Sequence, residues 1–532
     1  MNRSLSLPAL QIALALTLLV PVGPAVATTF SVTNLVDAGL GSLRQAVLDA
    51  NAAAGADEVT FAPGLTGTIT LTSGEIVISD SLVIHGPGLG ALTVSGGDQY
   101  RIFFIENPTV TPPIDVTLTR LTLSHGRGSP AHSGRIGGAV FANGENLTIQ
   151  NSVISNSRAG SEEGSPTFEC GGNVALFGSG GQTLRVEDSL LTGGVVGGLG
   201  DPAGGNLCIL GGRLVLERSV LSGGSAWHGG GLFADSLAAN SSIFLSKISE
   251  NDAAALGGGI ACANSTSSGD LTIEASTITG NSVPRPNGSG GGISTRRDNL
   301  LILASTISGN SGDAGGGIIS DGSDLRMINS TVSGNDSRLG GGLYFAATNS
   351  GGTLLLLLTT VSNNTASQRG GSLLLETPPM TSFAQLDHSV VANGVPEDLA
   401  GPAMTLATLS ANHSLIEAPG TTLVSGADNQ IGADPLLGPL ANHGGPTLTH
   451  MPLPGSPVLD AGDPALVNPP ATDQRGAVRI VGPAIDLGSV EAEVALVEVP
   501  TLSQVGLLVL CALLLGAGIL RLRRAGVTGQ TS

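Results

Sequence analysis

The chain has 532 residues, a formal net charge of −19, 80 glycines, one tryptophan, two tyrosines, 11 phenylalanines and only 12% charged residues. An acidic body repels phosphate backbones, which argues against nucleic acid as a partner, and a hydrophobic content of 41% argues against disorder. So few charges and aromatics also speak against a large enzyme built around a charge-rich cleft, and they leave the core to small aliphatic side chains.

From the N-terminus, Arg3 precedes an apolar run from Leu10 to Val20 and the small-x-small stretch Ala25-Val26-Ala27. This pattern predicts a secretory signal peptide over 1–27, with Ala25 and Ala27 at the cleavage site. The apolar run, closed by Pro21 and Pro24, is shorter than the ~20 residues a spanning helix needs. The spacing then predicts a helix over 42–54: Ser42 and Gln45 make a capping-box pattern, and Leu43, Ala46, Val47 and Ala50 share one face. Strand-like segments follow at once, so this helix is expected to cap a strand stack and cover its open edge.

One phrase then recurs across about half the chain. It reads Leu271-Thr-Ile-Glu-Ala-Ser-Thr-Ile-Thr-Gly-Asn281, then Leu301-Ile-Leu-Ala-Ser-Thr-Ile-Ser-Gly-Asn310, then Leu325-Arg-Met-Ile-Asn-Ser-Thr-Val-Ser-Gly-Asn335. Glycine triplets begin at Gly229, Gly257, Gly290, Gly315 and Gly340, in steps of 28, 33, 25 and 25. A fixed phrase with elastic spacing is a solenoid repeat with insertions confined to loops. About 25 glycine-rich residues are too few for packed helices, and Thr, Ile and Val favour short strands, so the expected architecture is an all-β parallel β-helix over 28–430. Its Leu-x-Ile residues point inward and stack about 4.8 Å apart. Asn251, Asn281, Asn310, Asn335 and Asn363 are expected at left-handed turns, their amides stacked as a structural ladder.

Gly41-Ser-Leu-Arg-Gln-Ala-Val followed by these repeats resembles the right-handed, pectin-lyase-like β-helix of exported bacterial proteins, over roughly 29–430. From Asp434 the text changes to Asp434-Pro-Leu-Leu-Gly-Pro-Leu-Ala-Asn-His-Gly-Gly-Pro-Thr447, Leu453-Pro-Gly-Ser-Pro-Val-Leu-Asp-Ala-Gly462, Thr472-Asp-Gln-Arg-Gly476 and Ile485-Asp-Leu-Gly488. Such density of proline and glycine predicts a turn-rich C-terminal cap over 431–492, and the four motifs in order resemble the choice-of-anchor Q domain. A linker over 493–498 leads to Val499-Pro-Thr-Leu-Ser-Gln-Val-Gly506, an apolar run over 505–520 expected as a transmembrane helix, and Arg521, Arg523 and Arg524, with 525–532 as a cytoplasmic tail. The segment 499–524 resembles the IPTL-CTERM sorting signal of Gram-negative bacteria, with Val499 in place of Ile and Val505 in place of Trp. Its motif residues are Val499, Pro500, Thr501, Leu502, Ser503, Gly506 and the three arginines. The resemblance implies an exosortase-like membrane peptidase as partner, residence in the inner membrane before processing, and transfer to the cell surface. A plain stop-transfer anchor is the alternative.

Of four cysteines, Cys511 falls in the apolar run, and Cys170, Cys208 and Cys262 lie in the body. Cys170 with Cys208 is the candidate disulfide, since their separation suits neighbouring or next-neighbouring coils; three buried thiols is the alternative. The resemblance also raises polysaccharide cleavage, which needs clustered carboxylates and basic residues to hold the substrate. Ser124-His125-Gly126 offers a histidine turn, but the chain has no Asp-Asp pair and its lysine is Lys247 alone. The adjacent carboxylates at Asp57-Glu58, Glu162-Glu163, Glu187-Asp188 and Glu397-Asp398 are dispersed and read as solvated turns. Asp434, Asp460, Asp463, Asp473 and Asp486 raise a weaker hypothesis of a cation in the cap. No catalytic, cofactor-binding or metal-ligating residue is assigned, and no cofactor is expected. The expected function is a non-catalytic cell-surface protein, adhesin-like or structural, with a surface polysaccharide or a host or neighbour-cell ligand. The rival is an extracellular polysaccharide lyase or glycoside hydrolase.

Overall fold

The computed structural model describes residues 27–107, 112–128, 135–160, 169–198, 200–263, 269–346, 351–376, 382–401 and 408–492, with 513–515 and 517. Ala25 and the motif residues from Val499 to Gly506 and from Arg521 to Arg524 lie outside them, as does most of the apolar run 505–520. Among the described residues no helix is long and apolar enough to cross a membrane. Residues 1–492 and 493–532 form two separate compact units.

Each repeat makes one coil of a parallel β-helix. In one such coil, Asn299–Leu303 lies on a first face, Thr306–Ser308 on a second and Ile318–Asp321 on a third, and the next coil opens with Leu325 in register with Leu300. Among the described residues the second face is a sheet of 14 strands. The first and third join into one of 26 through the strand Leu207–Glu217, which runs from one face to the other. Strand alternation turns every second side chain inward. Ile149, Val186, Leu216, Ile243, Ile273, Ile302, Met327, Leu356 and Leu386 thus stack in register as one fully buried column. Each such side chain contributes about 1.5–3 kcal/mol by leaving water.

Two buried polar ladders hold the turns between faces. Side-chain amides pass hydrogen bonds from Asn173 to Asn206, Asn251, Asn281, Asn310, Asn335 and Asn364, each Nδ2 donating to the next Oδ1 at 2.8–3.1 Å. From Asn251 on, the second Nδ2 hydrogen goes to an inward-strand carbonyl such as Ile278 O, and Oδ1 also accepts a backbone N–H from the coil before. Two expectations are corrected here. Asn363 is outside the ladder: it is exposed at φ +58, where other coils have Gly309 or Gly334, and Asn364 turns its amide inward. From Asn251 on, the left-handed residue is accordingly the one before each ladder asparagine, not the asparagine itself. A serine ladder at the opposite turn runs from Ser152 through Ser189, Ser219, Ser246, Ser276 and Ser305 to Ser330. In it each backbone N–H donates to the next Oγ at 3.0–3.2 Å.

The predicted N-terminal helix spans Leu43–Ala52 and is labelled α1. Ser42 Oγ accepts from Gln45 N at 3.1 Å, while the Gln45 side chain donates to Asp49 rather than back to Ser42, so only half of the capping box forms. Leu43, Ala46, Val47 and Ala50 enter the main core, and α1 packs on Thr29–Val32, Asp57–Phe61 and Ile76–Ile78. Arg44 fixes it there, donating to Glu75 O and Gly74 O and pairing with Asp37 at 2.7 Å.

The segment 431–492 contains one antiparallel pair, Leu437–Ala441 with Thr449–Pro452. It folds back along the second face instead of stopping at the end of the stack. The outward hydroxyls of that face receive it. Thr306 Oγ1 donates to Leu448 O (2.6 Å), Thr331 Oγ1 donates to Gln474 Oε1 (2.6 Å), Ser333 meets His450 Nε2 (2.8 Å), and Thr360 Oγ1 accepts from Ser489 N (3.0 Å). The strands Thr306–Ser308, Thr331–Ser333 and Thr360–Ser362 are therefore buried on both sides, unlike Thr277–Thr279.

Asn310→Ala is expected to leave the Asn281 backbone N–H and one Asn281 Nδ2 hydrogen without their acceptor, at about 1–3 kcal/mol per buried group, and to accelerate hydrogen exchange in the flanking coils. Asn363→Gly should leave exchange unchanged. Cys170 and Cys208 form a disulfide across 38 residues, so Cys208→Ala should cost about 4 kcal/mol in the chain-entropy account, read as a lower melting temperature that wild type reproduces on reduction.

Candidate functional site

A solenoid presents its chemistry as files of outward side chains, one residue per coil. Polar groups gather across coils in an ion-pair network on the first face and in a groove on the third. On the first face, Glu187 pairs in register with Glu217, which brings together carboxylates far apart in sequence. Arg185 bridges Glu187 and Glu217, and Arg218 bridges Glu217 and Asp188, the last at 2.8 and 3.0 Å. Although burial pushes the Glu187 carboxyl up, hydrogen bonds from Arg185 and Gln150 hold it below its ordinary value, and Arg218 does the same for Asp188. The adjacent pair Glu187-Asp188 is therefore part of an ion-pair network rather than a lone solvated turn.

The second region is a groove along the third face. Its floor is the file Phe233, Ala261, Ser294, Ile319 and Tyr344. One wall carries His228, Leu256, Ser289 and Ala314, and the other carries Asp235, Ala263, Arg296, Asp321, Ala346 and Glu376. Upstream, the floor is filled by Phe104, Phe141, Ala175 and Cys208, the last bonded to Cys170. Between Phe233 and Ile319 the short Ala261 and Ser294 leave a cleft of about 310 Å³, also lined by Asp201, His228, Arg296 and Asp321. Downstream, Tyr344 hydroxyl donates to Glu376, which also accepts from Arg369 at 2.8 Å. Burial and the Glu376 carboxylate push the Tyr344 phenol well up, so it stays a donor.

Inside the groove burial lowers the affinity of His228 for a proton, against the pull of Asp201, and its Nδ1 is buried without a hydrogen-bond partner. The Arg296 side chain is 66% exposed and its Nε stands 3.7 Å from Asp321. Cys262 points the other way, into the core, as a free thiol that burial pushes far up. His125, the histidine of the Ser-His-Gly turn, is exposed at φ +51 in the place of a turn glycine and joins neither region. Lys247 is exposed on the second face. Of the five aspartates expected near a cation, Asp434, Asp463 and Asp473 accept backbone N–H groups close in sequence, and Asp486 accepts from Asp460 N and Ala492 N. Among the described residues no group of three or more His, Cys, Asp or Glu is arranged to hold a metal. Sequence reading missed the groove because its partners lie a coil or more apart; the signal that was there is the break from large to small at Ala261 and Ser294.

No protein-family model matches the sequence, and no curated protein matches it. Among solved structures the chain is similar to the tailspike protein 3 of bacteriophage CBA120 (11% identity, 74% of this chain and 59% of that one, TM-score 0.39). It is also similar to the A-module of the mannuronan C-5 epimerase AlgE6 of Azotobacter vinelandii (13%, 73% and 94%, TM-score 0.34). A third is the pectate lyase Pel9A (13%, 88% and 98%, TM-score 0.32). The chain spans about 59% of the length of the tailspike it matches. At TM-scores below 0.5 none of the three carries an argument about activity.

General acid catalysis needs a carboxyl whose pKa is raised toward neutrality. Two such groups stand out, and both are structural. Asp398 is fully buried, accepts from Gly394 N, Ala418 N and Ser372 Oγ at 2.7–3.0 Å, and is pushed up by burial to about 6. Glu491, in the folded-back segment, accepts from Val481 N and Asp486 N at 3.0 Å and is pushed up by burial to about 7. A folded carboxyl that binds its proton more tightly than the unfolded chain stabilises fully below the ordinary values of 3.8 and 4.5, and that stabilisation is lost as pH rises through 6 and 7. Melting temperature should accordingly fall by a few degrees between pH 5 and pH 8, and Glu491→Gln should flatten that slope. Asp37, held at about 2 by hydrogen bonds from Ser73, Thr72 and Arg44 against the effect of burial, acts in the opposite sense only below about pH 4.

Proposed function

We propose that this protein is an exported, pectin-lyase-like β-helix rod attached at the cell surface, without catalytic activity, which acts as an adhesin-like or structural protein and offers its third-face groove to an extended polysaccharide. The single observation that carries the non-catalytic part is the state of the carboxylates. Glu187 and Asp188 on the first face are held by arginine with their proton affinity lowered, and Asp398 and Glu491, whose affinity is raised, are tied to backbone N–H groups. Export is supported by the Cys170–Cys208 bridge, since disulfides persist in oxidising compartments, and by the signal-peptide pattern. Attachment rests on the likeness of 431–492 to the choice-of-anchor Q domain and of 499–524 to the IPTL-CTERM signal, processed by an exosortase-like peptidase. The open groove, lined by donors, acceptors and apolar side chains over several coils, suits a linear polymer better than a compact ligand.

The purified full-length chain, incubated with a panel of plant, algal and bacterial polysaccharides, is expected to release neither reducing ends nor unsaturated uronides, while retaining at least one polymer in an affinity gel. Release of either product would overturn the non-catalytic reading, and free migration through every polymer would overturn the binding one.

A further inference from the structure

We infer that the cleft floored by Ala261 and Ser294 is a binding subsite for one neutral pyranose ring of a polysaccharide chain, an inference that rests on the groove reading above. Three observations lead there. The first is the shape. Phe233 and Ile319 bound a gap two coils wide, roughly two 4.8 Å steps, and Leu256 adds an apolar side wall. A pyranose ring presents apolar C–H faces to such walls. The second is the rim. Asp201, His228, Arg296 and Asp321 place both donors and acceptors around the gap, and the buried Nδ1 of His228 has no hydrogen-bond partner. Ring hydroxyls, each both donor and acceptor, match such a mixed rim, whereas an apolar ligand would strip water from Asp201 and Arg296 without replacing its hydrogen bonds. The third is charge. Two aspartates stand against one arginine at the rim, and the chain as a whole carries −19, so a uronate would meet net repulsion where a neutral sugar meets none.

A reporter stands next to a cleft residue in the chain. Trp227, the single tryptophan of the chain, is 46% exposed and adjoins His228 in the strand Ser225–His228. Titration of the full-length protein with cellohexaose, mannohexaose and hexagalacturonate, followed by tryptophan fluorescence, is expected to give a saturable change with a neutral hexasaccharide. Hexagalacturonate should bind at least tenfold more weakly. Ala261→Leu, in the outer apolar cluster that holds Phe233, and Ser294→Leu fill the cleft from its floor, and each should weaken neutral binding tenfold or more, while Thr148→Leu, outward on the first face, should not. Two cleft variants guard against one that melts early. Tighter binding of hexagalacturonate, or neutral binding that both cleft variants leave intact, overturns the subsite and leaves the groove reading standing. Absence of binding by any polysaccharide or hexasaccharide overturns both.

Discussion

The fold depends on a column of buried carboxamides. A coil of 25 residues must turn sharply between faces, and each sharp turn leaves backbone groups with no strand partner. In the interior of a narrow solenoid those groups are beyond water, where an unmade hydrogen bond is costly. From Asn251 to Asn335 each ladder asparagine answers three needs at once: it accepts from the backbone of the coil before, donates to the amide of the coil after, and donates to an inward carbonyl. Because every member needs the next, the ladder also fixes coil register. That explains why the phrase keeps its length while the loops between vary.

The same ladder explains a substitution within the repeat that otherwise looks arbitrary. Where the phrase ends in Gly-Asn, as at Gly309-Asn310, the opposing stretch is a glycine triplet; where it ends in Gly-Gly, as at Gly193-Gly194, the opposing stretch is Gly171-Gly172-Asn173. The two positions face each other across the coil. A Cβ on Gly317 would stand 3.1 Å from Asn335 Nδ2, and one on Gly194 would stand 2.9 Å from Asn173 Nδ2. There is room for one amide per coil, and either side can supply it.

Much of this was legible in the sequence. The solenoid, its parallel strands, the inward Leu-x-Ile pattern and a helix within 42–54, found at 43–52, follow from period, alternation and a capping serine. What was not legible depended on comparing coils rather than reading one. Asn363 and Asn364 are chemically identical neighbours, and only backbone geometry decides which is left-handed and exposed. The serine ladder was hidden because Ser is equally at home in a solvated turn. The course of 431–492 was unreadable for another reason: the second face has nearly the same strands at 277–279 (Thr-Ile-Thr) and 306–308 (Thr-Ile-Ser), and only the latter is covered. Turn-rich composition predicted a compact segment but held no information on where it docks.

Register also constrains where function can arise. On a solenoid each outward residue meets its counterpart about 4.8 Å away, so a repeated charge would stack against itself. The wall of the groove avoids this by alternation: Ala263, Arg296, Asp321, Ala346 and Glu376 follow one another with no like charges adjacent. On the first face the adjacent Glu187 and Glu217 are tolerable because Arg185 bridges both and Arg218 also pairs with Glu217. Neutralisation of this kind depresses carboxyl pKa values and works against a poised acid, so a faithful repeat tends toward a binding surface rather than a catalytic one. Specificity then has to come from coils that depart from the phrase. In the groove that departure is the step from Phe233 to Ala261 and Ser294, a change of side-chain volume within an unchanged backbone register.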